Sequence, residues 1–416
     1  MSTLLKGREL QKVFLHFCPF YEGGRLKPEE GRGTILAANS NNYWESAAFV
    51  QLAAEGEQSP LIVQFSLHAN QKIGADPRDL FTAEGVTYRG DSALRGARIN
   101  GFEMQELVDA YGADFVAISL DHFAVPHFTP DKKYEPGEAS REAYRRRVED
   151  AAEFLAKKGL QEEADLMGTE VEPYLDYLTG ADYQQFRYHF LRTVEVMDPA
   201  WGMIDTEDIP PALNFVITRD IVDGVREELN NTEMMLEAEL GATGQSGDQA
   251  GYATMPAKDL ERFAQLVASF ISYTGGEGLA YDIGMKHAAR KGELHEPDAH
   301  KLKVVQRTVM LETGVYAPFA QHGGTGAAAI PRGLIGKTNV NTAMLVMGTS
   351  ARFDFFLDNW RGIRSGAKKP CGTDVENKVY VRAVYEEARR RMLGTDIRGA
   401  LGTYQTGPQL RKLLNK

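Results

Sequence analysis

Eight short apolar segments recur along this chain, each β-rich and each running into polar or ionisable residues at its carboxyl end. In order they are 34–39 (TILAAN), 60–66 (PLIVQFS), 115–122 (FVAISLDH), 201–205 (WGMID), 235–241 (MLEAELG), 278–284 (GLAYDIG), 317–323 (APFAQHG) and 336–341 (GKTNVN). Apolar runs of this length fit strands buried on both faces, the pattern of a parallel sheet. Amphipathic stretches separate most of them. Residues 43–54 and 259–271 carry apolar side chains at helical spacing and predict two of the intervening helices. Eight βα units predict an α/β fold, a TIM (β/α)8 barrel, in which chemistry gathers at the carboxyl ends of the strands. The polar residues of this chain sit at those ends.

Two regions stand outside the repeat. The interval 124–198 is too long for a single crossover and predicts a helical insertion after the third strand. Within it, 141–167 is rich in Glu, Ala, Arg and Leu, and Arg145, Arg146 and Arg147 are followed at once by Glu149 and Asp150. That pattern reads as a solvated helix face rather than a nucleic-acid contact. Leaving from the active-site end of strand three, the insertion is expected to serve as a lid or an oligomer contact. Residues 343–416 predict a helical C-terminal extension, with a helix near 380–392 after the loop SGAKKPCGTD. No linker rich in Pro, Gly or Ser divides the chain, so 1–416 predicts one barrel domain.

Charge limits the partners. Lys plus Arg is 47 against 58 Asp plus Glu, a formal net charge of -11, which opposes general affinity for nucleic acid or anionic membrane. Cys18 and Cys371 are the two cysteines, too few for a disulfide framework or a cysteine-rich zinc site. The start MSTLLKGRELQK carries charges where a signal peptide needs an apolar run, and no stretch approaches the ~18 apolar residues of a membrane span. A cytoplasmic protein is expected, with neither membrane nor nucleic acid as partner.

Three histidines end or follow predicted strands: His122 in LDH, His287 in MKHAARKG and His322 in QHGGTG, with Glu239 in EAELG at another strand end. One such histidine is ordinarily a packed or surface residue. Three at one mouth of a barrel form the donor set of a catalytic zinc, since three protein ligands leave a position for substrate.

Taken in order, ILAAN, QFS, LDH, EAELG, HGGTG and NVNT resemble the class II, metal-dependent fructose-bisphosphate aldolases and the related tagatose-bisphosphate aldolases, over roughly 34–123 and 199–345. The resemblance implies a zinc ion held by His122, His287 and His322, with Glu239 as a further or alternating ligand; other divalent metals share such N/O sites. A monovalent cation near the phosphate also accords with it. It implies reversible cleavage of a ketose bisphosphate into dihydroxyacetone phosphate and an aldose phosphate, through an enediolate whose charge a divalent cation stabilises. Asp121 would be the acid–base group at the aldehyde oxygen; its plainer reading is a carboxylate that orients His122. Gly323, Gly324, Thr325, Asn339, Asn341 and Thr342 would hold the dihydroxyacetone phosphate end, the glycines admitting close approach of backbone N–H groups. Asn39 and Ser66 would line the pocket. Lys378 would stand where the family has an Arg that binds the distal phosphate, sometimes across a subunit interface. A homo-oligomer is usual among such proteins.

The chain departs from the family's pattern in places. The loop after EAELG reads GATGQSGDQAG and lacks the family's proton-moving Glu, leaving Asp248 as its only carboxylate. Ala288 follows His287 where Gly is usual, and Asn341 replaces a common Asp. The leading reading is cleavage of fructose 1,6-bisphosphate to dihydroxyacetone phosphate and glyceraldehyde 3-phosphate, a step of glycolysis and gluconeogenesis. The others are the same chemistry on tagatose or sedoheptulose bisphosphate, and a barrel that binds sugar phosphate without turnover. Asp121 beside the histidines argues against the last, because a mere binder needs no acid–base group.

Overall fold

The computed structural model of the chain describes residues 2–17, 21–22, 25–26, 33–75, 92–241, 257–286, 292–369, 374–394 and 401–416. Among them, the eight apolar segments are eight parallel strands of one sheet. They are β1 (Ile35–Asn39), β2 (Leu61–Ser66), β3 (Val116–Ala124), β4 (Trp201–Asp205), β5 (Met235–Leu240), β6 (Gly278–Tyr281), β7 (Ala320–Gln321) and β8 (Lys337–Val340). Their spatial order is β6-β5-β4-β3-β2-β1-β8-β7. Leu279 N donates to Pro318 O at 3.1 Å, and a parallel bridge joins Leu279 to Phe319, which brings β6 back to β7 and rounds the sheet into a TIM (β/α)8 barrel.

Two strands are shorter than the sequence predicts, each for a local reason. Segment 278–284 stops at Tyr281 because the Asp282 side chain accepts from Gly284 N at 2.6 Å, turning the chain out of the ladder. Segment 317–323 keeps only Ala320 and Gln321 as strand: Pro318 has no N–H to give a ladder, and Gly323 is left-handed (φ 67°).

The barrel interior is filled from below by apolar side chains. Ile35, Ala37, Ile62, Phe115, Ala117, Trp201 and Met235 form one buried cluster with Leu10, Val13, Phe14 and Phe17 of the N-terminal helix α1 (Gly7–Phe17). Phe14 and Trp201 meet with ring centroids 5.3 Å apart, so α1 closes the mouth opposite the carboxyl ends. A larger cluster packs the outer faces of the strands against the helices. Its members include α2 (Tyr43–Ala53), capped by Asn42, whose side chain accepts from Trp44 N and Glu45 N.

After α3 (Leu67–Ile73) and α4 (Ser92–Tyr111), the interval following β3 holds α5 (Arg141–Lys157), α6 (Gln161–Thr169), α7 (Val171–Leu178) and α8 (Ala181–Met197). The arginine run pairs with acids: Arg145 with Glu172 (2.7 Å), Arg146 with Glu142 (3.2 Å) and Arg147 with Asp223 (2.7 Å). Helices α5 and α6 pack on α9 (Pro211–Asp223), and α8 on α4, so the insertion thickens the barrel's helical wall. Helices α10 (Ala257–Thr274) and α11 (Ala299–Thr313) complete that wall. The C-terminal part is helical: α12 (Thr342–Arg364), α13 (Asp374–Leu393), which packs on α12 and α2, and α14 (Gly407–Leu414), which joins α1 below the barrel. No helix among the described residues is long and apolar enough to cross a membrane.

Candidate active site

Side chains of a strand alternate between its faces, so the residues that continue the inner apolar rows upward can be read off in steps of two. Ile35 and Ala37 lead to Asn39, Ile62 to Gln64 and Ser66, and Phe115 and Ala117 to Asp121. Trp201 leads to Asp205, Met235 to Glu237 and Glu239, and Ala320 to His322. The interior changes from apolar below to ionisable above.

His122 breaks that rule. Adjacent to Asp121, it belongs by alternation on the outer face, yet both line the same pocket. The cause is a bulge. Leu120 pairs with Gly202 and Phe123 with Ile204, one residue extra on β3, and His122 takes a left-handed φ of 46°. A bulge re-aims a side chain in this way, and the uncommon backbone of a non-glycine residue is held by the ladder on either side.

The pocket, about 300 Å³, opens at the carboxyl ends and is lined by Asn39, Ser66, Asp121, His122, Asp205, Glu207, His322, Gly323, Thr325, Asn339, Asn341 and Thr342. Asp121 is buried and accepts from Asn39 Nδ2 at Oδ2 (2.5 Å) and from Asn339 Nδ2 at Oδ1 (3.2 Å), one hydrogen bond on each oxygen. His122 Nδ1 lies 2.9 Å from Asp205 Oδ2, and the His122 and His322 rings are 4.9 Å apart. His322 Nε2 lies 3.1 Å from Glu237 Oε1.

Beneath His322 a fully buried polar layer carries Glu237. Its Oε2 accepts from Trp201 Nε1 at 2.6 Å and pairs with Lys337 Nζ at 2.9 Å. Lys337 also donates to Gln64 Oε1 at 3.1 Å and sits over the Trp201 ring. Burial opposes ionisation of Glu237, but Lys337 and His322 outweigh it and hold the carboxyl at about 2. Glu239, two residues on, accepts from Thr206 N at 2.9 Å. Burial likewise opposes ionisation of Asp205, and the His122 hydrogen bond and charge keep it below the usual carboxylate range. For His122, burial disfavours the cation, yet Asp121, Asp205 and Glu239 together raise it to about 10. The pocket floor therefore gathers carboxylates around an imidazole and calls for positive charge.

The turn that follows His322 is shaped by close packing. A Cβ on Gly323 would lie 2.6 Å from Lys286 O, and one on Gly324 would lie 2.5 Å from Thr338 Oγ1 and 2.6 Å from Asn339 O. Thr325 Oγ1 accepts from Ala343 N (3.3 Å), and Asn341 Oδ1 from Asn41 Nδ2 (3.2 Å).

The structure thus gathers most of the expected residues: Asn39, Ser66, Asp121, His122, His322, Gly323, Thr325, Asn339, Asn341 and Thr342 share one pocket, and Glu239 lies in the layer beside it. His287 and Asp248 lie outside the described residues, and no set of three His, Cys, Asp or Glu side chains among the described ones forms a complete metal cage. Lys378 is exposed on α13 and does not line the pocket, and neither do the exposed His68 and His127. Sequence reading missed Asp205, Glu207, Glu237, Lys337 and Gln64. For three of these, Asp205, Glu237 and Gln64, the step-of-two rule from the apolar rows was the available signal.

The donor chemistry suits a divalent cation. Each of the two clustered imidazoles has one ring nitrogen against a carboxylate, the arrangement that orients metal-binding histidines. Two comparisons with known proteins agree with this setting. Residues 201–394 match the family model described as fructose-bisphosphate aldolase class-II. The solved structure of a fructose-bisphosphate aldolase from Campylobacter jejuni has a similar fold, with a TM-score of 0.55, 17% identity, and 95% of this chain and 96% of that chain covered. No curated protein sequence matches the chain.

Proposed function

Through residues 201–394 the chain belongs to the class II fructose-bisphosphate aldolase family, and from that premise we propose that it cleaves fructose 1,6-bisphosphate reversibly into dihydroxyacetone phosphate and glyceraldehyde 3-phosphate. It is an aldolase, a carbon–carbon lyase; the substrate, the metal and the residue roles are our reading. The observation that carries it is the convergence of Asp121 with His122 and His322 in one pocket beside the Gly323–Thr325 turn.

His122 and His322 would hold zinc, joined by His287 and by Glu239 as a further or alternating ligand. Lys286, next to His287 in sequence, packs its backbone against Gly323, next to His322, which supports that grouping. When bound, the metal supplies Lewis-acid stabilisation of the negative charge that develops at the ketose carbonyl. Asp121 takes the proton of the hydroxyl that becomes the aldehyde and returns it in condensation. Asn39 and Asn339 hold both carboxylate oxygens in hydrogen bonds, so the base is oriented before substrate arrives. Ser66 and Asn39 line the wall, and Gly323, Gly324, Thr325, Asn341 and Thr342 receive the phosphate of the dihydroxyacetone end. Asp248 would move the C3 proton, and Lys378, which lies outside this pocket, would meet the distal phosphate across a subunit interface. Cleavage of this bisphosphate places the enzyme in glycolysis and gluconeogenesis, in the cytoplasm.

We further read 1–416 as one barrel domain that assembles as a homo-oligomer. Val346, Phe353, Leu357 and Trp360 are exposed at helical spacing along α12, an apolar stripe suited to a second subunit.

The test is cleavage of fructose 1,6-bisphosphate by the purified protein before and after EDTA, then with zinc restored. Activity lost and recovered supports the proposal. Cleavage indifferent to chelation sinks the metal role, and turnover of only tagatose or sedoheptulose bisphosphate moves the substrate while keeping the chemistry.

A further inference from the structure

The turn 323–326 is positioned from outside the barrel by one buried cation. Arg391, on the last turn of α13, is 6% exposed and Glu387 is 3% exposed. Arg391 donates through Nη1 to Gly324 O (2.9 Å), through Nη2 to Thr325 O (3.2 Å) and through Nε to Glu387 Oε1 (2.8 Å). Burying a guanidinium is costly unless its donors are used, and here they are divided between one carboxylate and two successive loop carbonyls.

We propose that Arg391, anchored by Glu387, is a positioning residue for the phosphate-binding turn; this rests on the aldolase reading above, in which that turn receives the dihydroxyacetone phosphate end. In a trans peptide the C=O and the following N–H point in opposite directions. Fixing the carbonyls of Gly324 and Thr325 therefore fixes the direction of the Thr325 N–H, and of the Gly326 N–H that closes the turn onto Gly323 O at 3.1 Å. A charged donor on a carbonyl also polarises its peptide and strengthens what the N–H gives. The fork grips two adjacent peptides, so neither rotates without losing a bond. Gly324 is pressed against Thr338 and Asn339 on one side and tied to Arg391 through its carbonyl. The C-terminal helix is in this way part of the substrate site although Arg391 does not line the pocket.

The experiment is calorimetric titration of the metal-loaded enzyme with dihydroxyacetone phosphate, and with inorganic phosphate as a second probe, for wild type, R391Q, R391K and E387Q. Metal content and far-ultraviolet circular dichroism are read alongside. For R391Q the expected result is affinity for both probes weakened about ten-fold or more, KM raised more than kcat falls, and metal content unchanged. R391K should recover only part of the affinity, since lysine lacks the fork. Folded, metal-loaded R391Q that binds both probes as wild type does would overturn the clamp while leaving the aldolase reading intact. If R391Q does not fold, E387Q decides: several-fold weaker binding supports the proposal and unchanged binding overturns it. Wild type that binds neither probe overturns the aldolase reading and this inference with it.

Discussion

At the scale of single residues, roles separate by what a substitution leaves behind. Asp121→Asn keeps the shape of the pocket and the hydrogen bond from at least one asparagine but removes the carboxylate proposed as the base. We expect kcat for cleavage to fall ~10²–10⁴-fold with metal content retained, measured by coupled assay and metal analysis. Loss of metal instead would assign Asp121 to orienting His122. Glu237→Gln acts differently, because it leaves Lys337 charged and fully buried without its counter-ion. That variant should lose about 3 kcal/mol in urea unfolding, and chelator competition should show its metal affinity weakened ~10–100-fold through His322. An unchanged affinity would mean that Glu237 serves the fold alone.

At the scale of elements, the helices after β3 are tied to the barrel by one buried carboxylate. Asp220 on α9 accepts from Tyr144 OH (2.8 Å) on α5, and from Tyr183 OH (2.8 Å) and Arg187 Nε (3.0 Å) on α8. Asp220→Ala strands these donors and should cost about 3 kcal/mol in urea unfolding. KM should not change, because the cluster lies on the helical wall rather than in the pocket; a raised KM would mean that the insertion reaches substrate. The strands were legible because each is a continuous apolar run, and six of the eight begin or end within two residues of the sequence-based bounds at both ends. The extent of β7 was not, since a segment can be apolar and still lack the N–H groups a ladder needs, as Pro318 shows. The bulge at His122 also left no composition signal: it arises from pairing with β4, which a linear reading does not contain. The plug formed by α1 was missed for a related reason. Its apolar face, Leu10, Val13, Phe14 and Phe17, has helical spacing, but nothing local says that it covers a barrel mouth.

At the scale of the whole molecule, the stripe on α12 predicts assembly. Phe353 and Leu357 are 61% and 60% exposed. The double substitution F353E with L357K should shift the mass seen by sedimentation toward the monomer with little change in circular dichroism. A wild type that sediments as a monomer would refute the oligomer outright. A second property of the whole follows from how the sheet closes. Ile35 pairs with Lys337, and the Thr34 hydroxyl bonds Ile335 O across 301 positions of sequence. Contacts so remote carry a large loop-closure entropy before they return any energy, so this seam forms late and slowly. Until it does, β1 and β8 are open edges with unpaired peptide groups, the surfaces on which strands of other chains add. Refolding yield should therefore fall steeply with protein concentration, a hazard that ends when the seam closes.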